Sequence, residues 1–402
     1  MKYIVILGDG MAGHPIPKLG DKTTLQATPK PAMDRLAELG RSGMLETVPE
    51  GFTPGSEIAN LAVMGYDVRE VFEGRGSLEA ASMGVEILPG EMAMRCNIIC
   101  IEDAKIKNHS AGHISNEEAW ELIDALQAEL GDDVVSFHKG VSYRHLLKIK
   151  GGNKMLKCTP PHDVPGTPFA DVMISATTPD AEATAKLLND LTIKSQEILS
   201  KHPVNLKRAA AGKDMANSIW AWSPGYKPEM ETMMQKYDNV KSGVVISAVD
   251  LIKGIGVYAG LEPVEVEGAT GLYDTNYEGK TAAAIEALKT HDFVYLHIEA
   301  SDEAGHEGDV ELKQRTIEYL DQRAVAPIME AAAKMSEPVT IAMLPDHPTP
   351  CCLRTHTRES VPFVIYNPTK EPDAVAKYDE ESAKSGAYGE LSTTQFMDEL
   401  LK

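Results

Sequence analysis

Carboxylate and imidazole side chains closely follow three short apolar segments of this 402-residue chain. Asp9, Asp302 and the pair Asp346-His347 each come just after such a segment. The segments are YIVIL (3–7), FVYLHIEA (293–300) and VTIAML (339–344). Each has the length and composition of a buried parallel strand, and ligands of open α/β sheets bind at the carboxyl ends of such strands. We therefore expect these side chains to meet at one edge of a sheet.

Two further histidines complete the pattern. His306 lies in S-D-E-A-G-H-E-G-D, and His356 lies in R-T-H-T just before a fourth apolar segment, VPFVIYN (361–367), which we take as a strand of the same kind. Mixed carboxylate and imidazole ligands favour Mn, Zn or a similar divalent cation. Two such ions about 4 Å apart can hold the attacking and leaving oxygens of a phosphoryl displacement. Each residue alone could instead belong to a turn or a helix cap.

Ser56 is the candidate nucleophile. It follows Pro54-Gly55 in T-P-G-S-E-I-A-N-L-A-V-M-G-Y-D and opens a helical pattern. A serine there faces backbone N–H groups and the positive end of the helix dipole, which suits phosphate, and a metal ion can activate its hydroxyl. The alternative is a serine that merely caps the helix. The metal-ligand pattern favours the nucleophile.

Strands and helices alternate at both ends of the chain. Helical patterns at 279–290 and 311–335 separate the apolar strands, which predicts a doubly wound α/β domain from residues 1–70 and 240–402. The middle of the chain has amphipathic helices at 117–130 and 179–201 among polar strands. We predict that residues 71–239 form a smaller inserted α+β domain.

Composition excludes several classes of protein. A formal net charge of -21 argues against nucleic acid or an anionic membrane as partner. Five cysteines without a C-x-x-C pair do not form a disulfide framework and fit a reducing compartment. The first apolar run is too short for a signal peptide, and no stretch approaches the roughly 18 apolar residues of a membrane span. We expect a cytoplasmic protein; a homo-oligomer is compatible with the sequence.

Several motifs together resemble one family. They are D-G-M near the start, P-G-S-x-x-A-N-L-A-x-M-G-Y-D, G-R-G-S-L-E-A-A, D-x-x-G-H-x-G-D and P-D-H-P-T-P. In this order they resemble the archaeal-type cofactor-independent phosphoglycerate mutases, a branch of the alkaline phosphatase superfamily. The resemblance covers nearly the whole chain and implies an alkaline-phosphatase-like core domain with an insert.

The resemblance also implies roles for the residues of the core domain. One metal ion would be bound by Asp9, Ser56, Asp346 and His347, with Ser56 also the phosphorylated residue. The other would be bound by Asp302, His306 and His356. Lys280 resembles a catalytic lysine that steadies the phosphoryl group. The expected ions are Mn, with Mg, Zn and Co as alternatives, and no 2,3-bisphosphoglycerate is expected.

The insert would then bind the substrate. Its candidate contacts are Arg75, His109, His113, Arg144, His145, His162 and Asp163. Members of the family often carry Arg-Ala-Gly-Arg where this chain has H-S-A-G-H (109–113). Histidine is a weaker, pH-dependent anion ligand than arginine, so the departure bears on the substrate contacts.

The implied activity is the interconversion of 3-phosphoglycerate and 2-phosphoglycerate, in glycolysis or gluconeogenesis, through phospho-Ser56. A domain closing over the site would exclude water. A phosphatase or phosphopentomutase of the same superfamily is the alternative, because these enzymes share the metal site. A nucleotide-dependent kinase is disfavoured because the chain has no G-x-x-x-x-G-K-[ST] motif.

Overall fold

The computed structural model describes every residue from Met1 to Lys402. The chain forms two compact units: the first consists of Met1–Phe72 and Glu229–Lys402, and the second of Glu73–Pro228. Residues 71–72 and 229–239, which we predicted to be part of the insert, therefore fall in the first unit. There the Tyr66 hydroxyl donates a hydrogen bond to the Glu231 carbonyl at 2.8 Å.

The strands and helices are given in chain order. The strands are β1 (Lys2–Gly8), β2 (Arg41–Leu45), β3 (Glu91–Glu102), β4 (Lys105–Asn108), β5 (Val135–Val141), β6 (Arg144–Lys150), β7 (Leu156–Lys157), β8 (Ser175–Ala176), β9 (Ser218–Gly225), β10 (Gly243–Ile246), β11 (Glu262–Pro263), β12 (Phe293–Ile298), β13 (Val339–Leu344), β14 (Val361–Tyr366) and β15 (Gly389–Leu391). The α-helices are α1 (Thr24–Ala27), α2 (Pro31–Leu39), α3 (Ser56–Val63), α4 (Val68–Val71), α5 (Arg75–Ser82), α6 (Asn116–Leu130), α7 (Glu182–Leu199), α8 (Pro203–Ala210), α9 (Met233–Lys236), α10 (Asp250–Tyr258), α11 (Tyr277–Thr290), α12 (Ala300–Glu307), α13 (Val310–Leu320), α14 (Ala326–Ala332) and α15 (Gln395–Leu400). A π-helical turn, Asp321–Val325, joins α13 to α14.

The first unit is built on an eight-stranded sheet. Its strand order is β11-β10-β12-β1-β13-β14-β2-β15, and β10, β12, β1 and β13 are parallel neighbours. Every residue of β1, β12 and β13 is buried. Such continuous burial is typical of parallel strands covered on both faces, which explains why these segments are almost uniformly apolar.

Helices cover both faces of this sheet. Side chains of a strand alternate between the faces. Ile4 and Val294 belong to a core cluster that also contains residues of α2, α11 and α13. On the opposite face Tyr295 bonds to Asn60 of α3, and Gly256 of α10 lies against Val245. The predicted doubly wound α/β fold is therefore confirmed for this unit.

β14 runs against our expectation of a fourth parallel strand, because it is antiparallel to both β13 and β2. No helix crosses over between β13 and β14 to carry the chain back to the opposite edge. The connection 345–360 therefore begins and ends at the same edge of the sheet. This reversal keeps His356 beside the residues that follow β13.

The second unit is an α+β structure with a five-stranded antiparallel sheet. Four of its strands have the order β4-β3-β6-β5. The fifth strand, β9, pairs with β3 on the side opposite to β6. Helices α6 and α7 pack on this sheet through a cluster that includes Leu122, Leu126 and Leu188. A separate pair, β7 and β8, completes the strands. No helix of either unit is at once long and apolar enough to cross a membrane.

Candidate active site

The structure brings the residues that follow β1, β12 and β13 together in the first unit. Asp9 follows β1, Asp302 lies in the first turn of α12 directly after β12, and Asp346 and His347 follow β13. None of these four residues is more than 4% exposed. The geometry arises because neighbouring parallel strands end at the same edge of their sheet.

Asp302 is the centre of a first group. Its Oδ2 is 3.2 Å from His306 Nε2, and its Oδ1 is 3.4 Å from His356 Nε2. The two imidazoles approach to 2.8 Å between their Nε2 atoms, and His306 Nδ1 donates to the Arg354 carbonyl at 3.1 Å. The hydrogen bond to Asp302 raises the pKa of His306 to about 9. The Asp302 carboxylate therefore favours the protonated form of the His306 imidazole.

Asp9 and Asp346 form a second group with His297. His297 Nε2 lies 3.0 Å from Asp9 Oδ2. Asp346 Oδ1 accepts the backbone N–H groups of Gly10 at 3.1 Å and His347 at 2.9 Å. Burial, and then the nearby carboxylate of Asp346, raise the pKa of Asp9 well above its ordinary value. Two such carboxylates in one buried place strongly favour a neutralising cation.

His347 touches both groups. Its Nε2 is 3.7 Å from Asp9 Oδ1 and 3.4 Å from Asp346 Oδ2. Its ring stacks on that of His356 with the centroids 3.8 Å apart. Nitrogen or oxygen atoms of Asp302, His347 and His356 all lie within 4.8 Å of one another. His347 thus lies between the two predicted ligand sets and not within one of them alone.

These donors fit divalent cations. Potential ligand atoms of Asp9, His297 and Asp346 also lie within 4.8 Å of one another. Asp9 Oδ1 is buried and accepts no hydrogen bond. A buried carboxylate oxygen without a partner costs free energy that a cation would relieve. Carboxylate and imidazole together suit Mn or Zn better than a site of oxygen alone would.

Ser56 is the first residue of α3, and its hydroxyl faces this centre. Ser56 Oγ is 3.2 Å from His347 Nε2. The helix is capped by Gly55, and no side chain makes a capping hydrogen bond. The alternative interpretation of Ser56 as a capping serine is therefore wrong. Its hydroxyl lies at the N-terminal end of the helix, where the helix dipole is positive.

Asn60 lies one helical turn after Ser56 and is fully buried. Its Nδ2 donates to Asp346 Oδ2 and to the Ser56 carbonyl, both at 2.9 Å. Its Oδ1 accepts from the Tyr295 hydroxyl at 2.6 Å. One side-chain amide thus connects the helix of the nucleophile to a candidate metal ligand.

A close approach of two loops holds the centre together. Gly10 has φ of +60°, and a Cβ there would lie 2.7 Å from the Asp302 Cα. Only glycine can combine this backbone conformation with this proximity. The buried Lys313 donates to the carbonyls of Ala12 at 3.0 Å and Thr349 at 2.7 Å. It thereby ties the loop after β1 to the loop after β13.

Lys280 lies in α11 and is fully buried. Its Nζ donates to the Thr270 carbonyl at 3.3 Å. Burial lowers the pKa of Lys280 to about 8, against the opposing effect of the Glu299 carboxylate. Burial likewise raises the pKa of Glu299 to about 8. Burial therefore makes the Lys280 ammonium easier to deprotonate than that of an exposed lysine.

The second unit gathers aromatic and basic side chains around Trp222. The His162 ring lies 5.4 Å from Trp222 and 5.9 Å from His109, and the rings of His109 and His113 lie 5.5 and 6.4 Å from that of Tyr143.

The Arg95 guanidinium lies 4.4 Å above the Trp222 ring. Burial is the largest cause that lowers the pKa of Arg95, and the charges of Arg75 and Arg144 lower it further. Three guanidinium groups therefore share one region with these imidazoles.

His145 and Asp163 differ in their surroundings. Asp163 is exposed and lies 3.6 Å from His162 Nε2. His145 is 1% exposed, and its Nδ1 accepts the Gly140 N–H at 3.0 Å. Burial lowers the pKa of His145 to about 4. The structure thus favours a packing role for His145 over a substrate contact.

Sequence reasoning did not single out His297, Asn60 or Glu299 as part of this centre, whereas Thr349 was expected near it because it closely follows Asp346 and His347. Thr349 donates to Asp302 and lies 3.3 Å from His347 Nδ1. His297 could have been found as a polar residue inside an otherwise apolar strand. Asn60 could have been found at one helical turn from the serine, where both share a face.

Comparisons with known proteins agree with one another. The family model described as 2,3-bisphosphoglycerate-independent phosphoglycerate mutase matches residues 37–205. A protein of that name from Methanosarcina acetivorans is 51% identical over 406 residues and aligns over 100% of both chains. Among solved structures, a cofactor-independent phosphoglycerate mutase from Thermoplasma acidophilum is 27% identical, with a TM-score of 0.70 and coverage of 100% of this chain and 99% of that one. A Pyrococcus horikoshii protein is 29% identical, with a TM-score of 0.84 and coverage of 99% and 96%.

Proposed function

Because this chain belongs to the 2,3-bisphosphoglycerate-independent phosphoglycerate mutases, we propose that it interconverts 3-phosphoglycerate and 2-phosphoglycerate through a phosphoryl group carried on Ser56. The observation that carries the proposal is the position of Ser56 Oγ. Ser56 is the first residue of α3. Its Oγ lies 3.2 Å from His347 Nε2, beside two groups of buried carboxylates and imidazoles.

Two divalent cations, Mn²⁺ in the first place, are the proposed cofactors. Asp302, His306 and His356 would hold one, and Asp9, Asp346 and Ser56 the other, with His347 within reach of both. When bound, such ions neutralise charge on the phosphoryl oxygens and lower the pKa of a coordinated hydroxyl. The partnerless Asp9 Oδ1 supports a cation at the second position.

Ser56 acts as the carrier in this proposal. Its Oγ loses the hydroxyl proton and attacks the phosphorus, the bond from phosphorus to the substrate oxygen breaks, and glycerate keeps that oxygen and takes up one proton. In the second half of the reaction, the other hydroxyl of glycerate attacks the phosphorus of phospho-Ser56, and the serine is regenerated. The positive end of the α3 dipole lies at Ser56 and would stabilise the negative charge of the phosphoryl group. Asn60 keeps this turn beside Asp346.

Side chains of the second unit are proposed to bind the glycerate part of the substrate. The region shared by Arg75, Arg95 and Arg144 supports an anion site, because the charges of Arg75 and Arg144 act on Arg95 in addition to its ion pair with Glu79, whose Oε1 lies 3.0 Å from Arg95 Nε. His109 and His162 border this region. Burial lowers the pKa of both imidazoles, so at neutral pH they would act as neutral hydrogen-bonding groups.

The test is a phosphorus NMR assay of the Mn²⁺-loaded enzyme with 3-phosphoglycerate and no added 2,3-bisphosphoglycerate. We expect 2-phosphoglycerate to accumulate to equilibrium. Release of inorganic phosphate alone would indicate a phosphatase instead. A sample of Ser56→Ala, handled identically, controls for contaminating mutase.

A further inference from the structure

Two buried residues outside the predicted ligand sets, Ser247 and His297, form a chain of hydrogen bonds that ends on Asp9. The Val249 N–H donates to Ser247 Oγ at 3.0 Å. Ser247 Oγ lies 3.1 Å from His297 Nδ1, and His297 Nε2 lies 3.0 Å from Asp9 Oδ2. Ser247 is 4% exposed and His297 is fully buried. No water is needed to complete this chain.

Hydrogen-bonding capacity fixes the direction of the chain. An ionised Asp9, the form that binds a cation, can only accept hydrogen bonds. The imidazole must therefore present its N–H at Nε2. A neutral imidazole has one N–H, so Nδ1 must accept, and the Ser247 hydroxyl must donate to it. The Val249 N–H occupies one lone pair of Ser247 Oγ and leaves the hydroxyl proton free for this bond.

The result is an asymmetric Asp9 carboxylate. Oδ2 is occupied by His297, whereas Oδ1 accepts no hydrogen bond and lies on the side of His347, 3.7 Å from its Nε2. We propose that His297, with its tautomer set by Ser247, is a positioning residue that directs Asp9 Oδ1 toward the cation. This inference rests on the metal centre of the proposed function.

A competing role for His297 is that of a direct ligand, since its nitrogen lies within reach of Asp9 and Asp346. The two roles require opposite tautomers. A ligand needs a bare Nε2, and Nδ1 would then donate to Ser247. A positioning residue needs an N–H at Nε2. A glutamine amide can supply the same N–H, whereas a nitrogen that carries a proton cannot bind a metal ion.

The experiment measures Mn²⁺ affinity of the full-length protein after removal of metal by a chelator, using electron paramagnetic resonance to count free Mn²⁺. We expect His297→Gln to stay within about threefold of the unsubstituted protein, because the amide N–H replaces that of the imidazole. His297→Phe should weaken binding about 10- to 100-fold, as is usual when the partner of a ligand is lost. His347→Gln is the matched control for loss of a ligand and should bind far more weakly than His297→Gln.

Each result decides the proposal. If His297→Gln loses as much affinity as His347→Gln, His297 is a ligand and the proposal is wrong. Ser247→Ala removes only a hydroxyl and should weaken binding severalfold. Should circular dichroism show that His297→Phe does not fold, unchanged affinity in Ser247→Ala overturns the proposal by itself. Absence of Mn²⁺ binding by the unsubstituted protein would instead overturn the proposed function.

Discussion

Asn60 Nδ2 lies 2.9 Å from Asp346 Oδ2, and the same nitrogen lies 2.9 Å from the Ser56 carbonyl oxygen. Both protons of this buried amide are used, and its oxygen accepts from Tyr295. The orientation of the amide is therefore determined by three partners. Because the candidate nucleophile and a candidate ligand share this support, a disturbance of Asn60 should affect both.

We expect Asn60→Asp to be nearly inactive, since it removes both N–H donors and adds a negative charge beside Asp346. Tyr295→Phe removes one hydroxyl and leaves a buried amide oxygen without its donor, which costs about 1–3 kcal/mol. Steady-state kinetics should show a lower kcat in both variants, with the larger loss in Asn60→Asp. Equal, unimpaired turnover by the two variants would show that the amide does not support the site.

Removal of metal should destabilise the protein. Asp9, Asp302 and Asp346 are buried together, and a cation that binds only the folded state stabilises it by about 2.7 kcal/mol at 100 times its dissociation constant. Thermal unfolding should therefore shift to lower temperature after chelation and recover with Mn²⁺. In Asp9→Asn, which keeps the shape and removes a charge, the shift should be smaller. A chelated enzyme that stays fully active would contradict the two-metal model.

Binding of Mn²⁺ should release protons at neutral pH. The hydrogen bond with Asp302 raises the pKa of His306 to about 9, above the ordinary imidazole value of about 6.5. In the metal-free protein, the stability gained from this bond is fully present below about pH 6.5 and is lost as pH rises through about 9. A metal ligand must be deprotonated. Titration calorimetry in buffers of different ionisation enthalpy should detect the release at pH 7 and a smaller release at pH 9.5, whereas a pH-independent count would exclude His306 as its source.

Ser56→Ala should abolish isomerisation and leave the fold intact. Gly55 caps α3, so the hydroxyl makes no contribution as a cap. Intact mass after a rapid quench with 3-phosphoglycerate should show one added phosphoryl group in the unsubstituted protein and none in the variant. Peptide mapping should locate it at Ser56. A phosphopeptide from another part of the chain would refute Ser56 as the carrier.

Arg144→Ala should raise KM for 3-phosphoglycerate while leaving Mn²⁺ affinity unchanged. Arg144 is exposed and contributes to the positive region around Arg95. Lys186→Ala is the control, because Lys186 is an exposed cation of the same unit that pairs only with Asp190 in α7. If both variants turned over like the unsubstituted enzyme, Arg144 would be a surface residue and the substrate assignment would need revision.

The sequence by itself determined the α/β class of the first unit, because buried parallel strands must be apolar along their whole length and their boundaries stand out. It also determined which residues follow those strands. From this we could predict that Asp9, Asp302, Asp346 and His347 lie close together. Ser56 could be placed at a helix start from the Pro-Gly turn before it. These are local properties, set by a few neighbouring residues.

Tertiary structure decided the rest. Only the antiparallel course of β14 brings His356 to Asp302, and strand direction depends on the path of the whole connection. Only packing places Asn60, Tyr295 and His297 behind the candidate ligands. Each of them makes a hydrogen bond to a residue more than 230 positions away in the chain. Helical or strand position could have marked Asn60 and His297 as unusual, but not their partners, because a hydrogen bond fixes a distance in space and imposes no spacing along the chain.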